Sequence, residues 1–134
     1  MEKKEYIFEL PMKVRDYEVD SEGIVNNAVN LHYLEHTRHE FCEWAGMSFR
    51  EMSSRGIVPV LSRAEIDYRR PLRLGERMVS KLNIARRVPL FVFVQDIFTP
   101  DGQVVVKAKI SVATLVDGRL TRGDELAEPF KRFL

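Results

Sequence analysis

The amino-acid sequence predicts an α+β domain in which an antiparallel sheet of about five strands packs on one long helix. Three observations carry this: a helical apolar pattern confined to one early stretch, two-residue alternation from Ile57 onward, and turn signals between the alternating runs.

Residues 6–14 read as a first strand, and Pro11 marks it as an edge strand because proline has no N–H to give a second neighbour. Residues 15–28 are polar and contain Gly23 and Asn26-Asn27, which predicts a loop. A helix is expected over 29–45, with Gly46 as its C-terminal cap. At about 100° per residue, Tyr33, Leu34, Thr37, Phe41, Trp44 and Ala45 share one arc. His32, Glu35, His36, His39, Glu40 and Glu43 lie opposite, so one face is expected to be buried. Arg38 falls inside the apolar arc and must snorkel or find an acidic partner. Residues 48–54 read as a short second helix stopped by Gly56.

Beyond Ile57 the runs 57–69, 77–87, 90–99 and 104–114 read as strands, and 90–99, apolar on both faces, as a central one. Pro100-Asp101-Gly102 and Asp117-Gly118 are hairpin signals, and the tail from Asp124 to Leu134 reads as a short helix. One helix cannot cover a sheet of about five long strands. Pairing of two sheets edge to edge would, so a homodimer or homotetramer is expected.

The 134 residues, without repeat or linker, make one domain spanning 1–134. Lysine and arginine (21) balance aspartate and glutamate (20), which argues against a nucleic-acid partner. No apolar run reaches the roughly 20 residues of a membrane span, and the first ten residues lack the apolar stretch of a signal peptide, so a cytoplasmic location is expected. The single cysteine, Cys42, excludes an intramolecular disulfide; mid-helix and without an adjacent base, it reads as a buried structural thiol.

The loop ahead of the helix concentrates chemistry. Asp16, Glu18, Asp20, Glu22, Gly23, Asn26 and Asn27 lie within twelve residues that lead into the helix start. A carboxylate beside a helix N-terminus faces N–H groups able to polarise a carbonyl oxygen, which is a minimal apparatus for acyl transfer. The same residue types also cap helices and form turns, so the composition alone leaves both roles open. His32 and His36 have an i,i+4 spacing that suits zinc, with His39 nearby. They sit among Glu35, Glu40 and Glu43 on the polar face, so no metal is expected.

The run Asp20-Ser21-Glu22-Gly23-Ile24-Val25-Asn26-Asn27 resembles the Asp-x-x-Gly-(Ile/Val/His)-Val motif of the 4-hydroxybenzoyl-CoA thioesterase-like family. Tyr33-Leu34-Glu35-His36-Thr37-Arg38 resembles that family's helix, and Tyr68-Arg69-Arg70-Pro71, followed by Gly75-Glu76, resembles its Tyr-x-Arg-Pro-x-x-x-Gly-Asp segment. The resemblance covers roughly residues 6–120 in order and spacing. It implies the hotdog fold, a sheet wrapped around one long helix, and hydrolysis of an acyl-CoA or acyl-carrier-protein thioester. By position, Asp20 matches the family's catalytic aspartate, nucleophile or general base, and Asn27 the position whose backbone N–H binds the thioester carbonyl. Glu35 stands in reserve, because some relatives use an acid on the helix. Gly23, Ile24 and Val25 would line the substrate, while Arg70, Arg86, Arg87 and Lys107 would meet the phosphates of coenzyme A. No cofactor is implied; coenzyme A enters as part of the substrate.

Ile24 stands where plant-type acyl-carrier enzymes carry a histidine, and Asn30 where the family often has tyrosine. Asp16 rivals Asp20 and could pair with Arg15 or Arg38. Two other functions compete: a dehydratase, which needs a histidine and an acid in the cavity, and a non-catalytic acyl-binding module.

Overall fold

A computed structural model describes residues 6–134. The chain runs β1 (Phe8–Lys13), a 3₁₀ turn (Asp16–Glu18), α1 (Asn27–Trp44), α2 (Phe49–Ser54), β2 (Ile57–Tyr68), β3 (Arg77–Arg87), β4 (Leu90–Phe98), β5 (Val104–Val116), β6 (Arg119–Leu120), α3 (Asp124–Phe130) and a closing 3₁₀ turn (Lys131–Phe133). All pairings are antiparallel, in the order β1-β3-β4-β5-β2, with the short β6 beside β5. β4 is central and β1, with Pro11, lies at an edge. The sheet curls around α1. This is the hotdog arrangement that the resemblance implies.

α1 starts two residues earlier than its apolar pattern, because Asn26 rather than Ala28 provides the cap: its side-chain oxygen accepts from the Ala28 N–H at 2.8 Å. At the other end Gly46 turns into the left-handed region (φ 94°), the Met47 N–H donates to Cys42 O (2.9 Å) and the Gly46 N–H to Glu43 O (3.1 Å). Those two bonds satisfy carbonyls that the helix end would otherwise leave orphaned.

The inward face of α1 carries Tyr33, Leu34, Thr37 and Phe41 against Met78, Ser80, Leu82, Phe93, Ile97 and their neighbours on the sheet. Phe41 touches the rings of Phe8, Phe93, Phe130 and Phe133, so α1, the sheet and the C-terminal segment share one aromatic cluster. Burying one such phenylalanine stabilises by about 1.5–3 kcal/mol. Trp44 departs from the expected arc. It is 54% exposed, its ring covered only in part by Phe8 at the start of β1 and Phe133 near the C-terminus. Arg38 departs too. It neither snorkels nor finds an acid but is buried and donates to Gln95 Oε1 on β4 at 2.9 Å.

On the outward face the register sets Glu9, Lys81, Asp96, Lys107 and Asp67 in one row across β1, β3, β4, β5 and β2. Charges alternate along it, with ion pairs Glu9–Lys81 (3.7 Å) and Asp96–Lys107 (3.8 Å). Asp96, only 2% exposed, also accepts from the Tyr6 hydroxyl, so a charge on the outer face is enclosed without being left unpaired.

β2 closes one side of the sheet. Its twelve residues pair with β5 along one edge and, among the described residues, with no strand along the other. Val58, Val60, Leu61 and Tyr68 are exposed on it.

Candidate active site

After β1 the chain makes the 3₁₀ turn, and Glu18 folds inward to 8% exposure. Its Oε1 accepts from the Arg15 N–H (2.8 Å) and the Tyr33 hydroxyl (2.7 Å), and its Oε2 from the Arg15 guanidinium (3.1 Å). Burial and the Glu18 carboxylate push the Tyr33 phenol above its ordinary range, so it remains a donor. Glu18 thereby ties the loop to the first turns of α1. The sequence pattern missed this acid; the signal was its place fifteen residues ahead of a tyrosine on the buried arc. Asp16 stays exposed and takes neither Arg15, which goes to Glu18, nor Arg38, which goes to Gln95.

Residues 19–25 then form a tight reversal. Val19 bridges Val25, the Asp20 N–H donates to Ile24 O (2.9 Å), and the Gly23 N–H returns to Asp20 O (3.0 Å). Gly23 sits at φ 76°, where a side chain would strain the turn. The Asp20 Oδ1 accepts from the N–H groups of Glu22 (2.9 Å) and Ile24 (3.2 Å). Its Oδ2 has no hydrogen-bond partner among the described residues, and the residue is exposed. Asp20 is therefore a turn former through one oxygen and an open carboxylate through the other.

The reversal is pinned from outside by the β2–β3 connection: Val25 N–H to Leu72 O (2.9 Å) and Leu74 N–H to Gly23 O (3.1 Å). Three residues beyond Ile24 the helix begins. Asn27 is its first residue, and its N–H has no partner among the described residues, while its carbonyl accepts from the Tyr68 hydroxyl at the end of β2 (3.4 Å). Tyr68 was not singled out from the sequence, although it opens the Tyr-Arg-Arg-Pro segment. Asn30, in the first turn, is buried.

The fold gathers Asp20, Gly23, Ile24, Val25 and Asn27 at one end of α1, with Arg70 in the connection that pins them. Arg70 pairs with Glu76 (3.3 Å). The other basic candidates do not join this group: two lie at a distance and one on the opposite face of the sheet. Arg86 and Arg87 sit at the far end of β3, on the order of 30 Å from its start. Arg86 is held by Asp124 and the Arg122 carbonyl, and Lys107 by Asp96 on the outward face.

A cavity of about 110 Å³ opens along the flank of α1, bounded by Arg38 and Cys42 of α1, Phe49 of α2, Leu61 of β2, Phe93 of β4 and Phe130 of α3. Glu35 and His39 also line it, although the helical wheel puts both on the polar side. The reason is tertiary: α2 folds over that flank and lays Phe49 against the His39 ring, centroids 3.9 Å apart. Burial holds the His39 pKa below its ordinary value. His32 is exposed, and His36 faces Glu40 (3.7 Å).

Burial pushes the Cys42 thiol up to about 12, so almost none is thiolate at neutral pH. Iodoacetamide at neutral pH is accordingly expected to leave Cys42 of the native protein unlabelled and to modify it after unfolding, as read by intact mass. Rapid labelling of the folded chain would contradict this.

A family model described as the thioesterase-like superfamily matches residues 14–133, and the chain belongs to that superfamily. Similar proteins include a chloroplastic acyl-acyl carrier protein thioesterase of Arabidopsis thaliana, ATL2. It is 39% identical over 103 residues, which are 75% of this chain and 55% of that one. The long-chain acyl-CoA thioesterase FadM of Escherichia coli is 32% identical over 106 residues, 75% of this chain and 76% of that one. Among solved structures, the probable thioesterase YbaW of Escherichia coli superposes with a TM-score of 0.81 at 29% identity, covering 93% of this chain and 97% of that one. The chain spans about half the length of the plant relatives it matches. No helix among the described residues is long and apolar enough to cross a membrane.

Proposed function

We propose that this chain hydrolyses acyl thioesters of coenzyme A or acyl carrier protein, with Asp20 as the reacting carboxylate and the Asn27 N–H as oxyanion donor. The observation that carries it is one arrangement: a carboxylate with one oxygen committed to its turn and the other open, on a loop running into an α-helix whose first N–H is unpaired. Water adds across the acyl carbon–sulfur bond. Either Asp20 attacks that carbon, expelling the thiolate and forming a mixed anhydride that water then hydrolyses, or it takes the proton of the attacking water. In both routes negative charge gathers on the carbonyl oxygen at the helix start and the water's proton ends on the departing thiolate. Gly23, Ile24 and Val25 bound the approach, and Arg70, beside the loop, is the basic candidate best placed for the phosphates. Arg86 and Arg87, at the far end of β3, are further from that end of α1, and Lys107 lies on the outward face of the sheet, paired with Asp96. Two relatives are named for acyl-carrier and acyl-CoA thioesters, which supports this substrate range.

The working unit is a homo-oligomer joined through β2. Its unpaired edge and exposed Val58, Val60, Leu61 and Tyr68 suit a second copy of the same strand.

The test is release of free thiol from a panel of acyl-CoA and acyl-carrier-protein thioesters, short aliphatic to long-chain and aryl. Release from at least one class is expected, and none from any of them removes the hydrolase assignment. One observation favours a dehydratase as a second reading: Glu35 and His39 share the cavity. Conversion of a 3-hydroxyacyl-CoA to its enoyl product without thiol release would select it.

A further inference from the structure

The cavity beside α1 is apolar except at Glu35, Arg38 and His39. Arg38 is the unusual member. It is 9% exposed, yet its guanidinium has one hydrogen bond among the described residues, Nη1 to Gln95 Oε1, and no ion pair. Gln95 is fully buried and donates its Nε2 to Leu34 O at 2.8 Å, so Oε1 is the one side-chain atom it can turn to Arg38. A guanidinium carries five N–H donors, and taking such a cation from water is costly unless acceptors replace the hydration. Burial indeed holds the Arg38 pKa below its ordinary value. Glu35, one turn earlier on α1, is exposed; its charge favours the Arg38 cation, but among the described residues the two form no direct ion pair. The remaining N–H donors of Arg38 have no hydrogen-bond acceptor among the described residues and are not sealed from solvent, so an acceptor entering the cavity can replace water on them.

We propose that Arg38 reads an oxygen acceptor, a carboxylate or a carbonyl, carried on the distal part of the acyl chain. This rests on the thioesterase assignment for the identity of the ligand. The position follows from the helix. Arg38 is eleven residues beyond Asn27, roughly 16 Å along the axis, so the oxygen it meets lies far from a thioester carbonyl held at the start of the same helix. Gln95 acts as the positioning residue, aiming the guanidinium from β4 while its own amide is fixed to the backbone of α1. The remaining wall, with Phe49, Leu61, Phe93 and Phe130, suits the methylenes that precede the oxygen.

The experiment compares CoA thioesters of equal chain length: unsubstituted, bearing a terminal carboxylate, bearing a carbonyl near the terminus, and bearing a 3-oxo group. For the full chain, kcat/KM is expected to favour one or both terminally oxygenated substrates by roughly ten- to hundredfold over the unsubstituted one. The 3-oxo substrate should show no such gain. Arg38→Met should bring the ratio close to one, and Arg38→Lys, which keeps charge but loses the planar fork, should fall between. Ratios within one protein cancel any loss of folded fraction. A wild-type ratio near one, or one that Arg38→Met leaves intact, overturns the proposal and leaves Arg38 as a cross-link between α1 and β4. Calorimetric binding of the matching free dicarboxylic and monocarboxylic acids separates this from the activity. A preference for the diacid that Arg38→Met abolishes, with no thiol released from any thioester, upholds the acceptor site and sinks the hydrolase instead.

Discussion

Replacing Asp20 by asparagine is expected to lower kcat for thioester hydrolysis by roughly 10²–10⁴-fold while leaving the loop in place. The amide keeps an oxygen for the Glu22 and Ile24 N–H groups, so the turn retains both of its bonds and the stability change should be on the order of 1 kcal/mol or less. What disappears is the charge and the basicity of the open oxygen. Asparagine thus separates the two functions that one residue combines, whereas alanine would remove both. Thiol-release kinetics beside a thermal melt checks this. Near-wild-type turnover in Asp20→Asn would displace Asp20 from the chemistry and move attention to Glu35, the acid on α1 that reaches the cavity.

The second large effect concerns β2. Val60→Asp is expected to turn the assembly into 15.6 kDa monomers at micromolar concentration, and light scattering coupled to gel filtration reads this directly. In the single chain Val60 is exposed and does not line the cavity, so a carboxylate there costs the protomer little. Between two copies of β2 the same substitution brings two like charges to a strand junction that excludes water, which opposes pairing. A wild-type protein that already runs as a monomer, or a Val60→Asp variant that stays associated, would rule out β2 as the joint.

Most of the fold was legible in the sequence, because its signals are local. The alternation of 77–87 and the turn at Asp101-Gly102 delimit β3 and the β4–β5 hairpin without reference to anything distant. Apolar character on both sides of 90–99 pointed to the central position of β4. Errors appeared where a residue's surroundings come from far along the chain. Trp44 lies on the apolar arc but is only partly covered, by Phe8 and Phe133, and Arg38 finds its partner 57 residues away in Gln95. The helix start moved by two residues because a side-chain cap at Asn26, not apolar spacing, sets it.

The candidate site was legible in part for the same reason. Asp20, Gly23 and Asn27 sit within eight residues, so motif and geometry coincide there. The cavity is assembled from α1, α2, β2, β3, β4, β5 and α3, and no linear pattern announces that Glu35 and His39, polar by position on the helix, face it together. Glu18 belongs to the same class: one acid among four in the loop, distinguished only by its contacts with Arg15 and Tyr33.

The two hydrogen bonds that pin residues 19–25 to the β2–β3 connection carry a dynamic consequence. Val25 to Leu72 and Leu74 to Gly23 each need both segments in place, so neither segment can open without releasing the other. The Val25 and Leu74 amides should therefore exchange with deuterated solvent at a common rate, as one cooperative unit. The placement of Asp20 is then held by a unit that includes Leu72 and Leu74, and the connection between two strands becomes the anchor of the loop that bears the carboxylate.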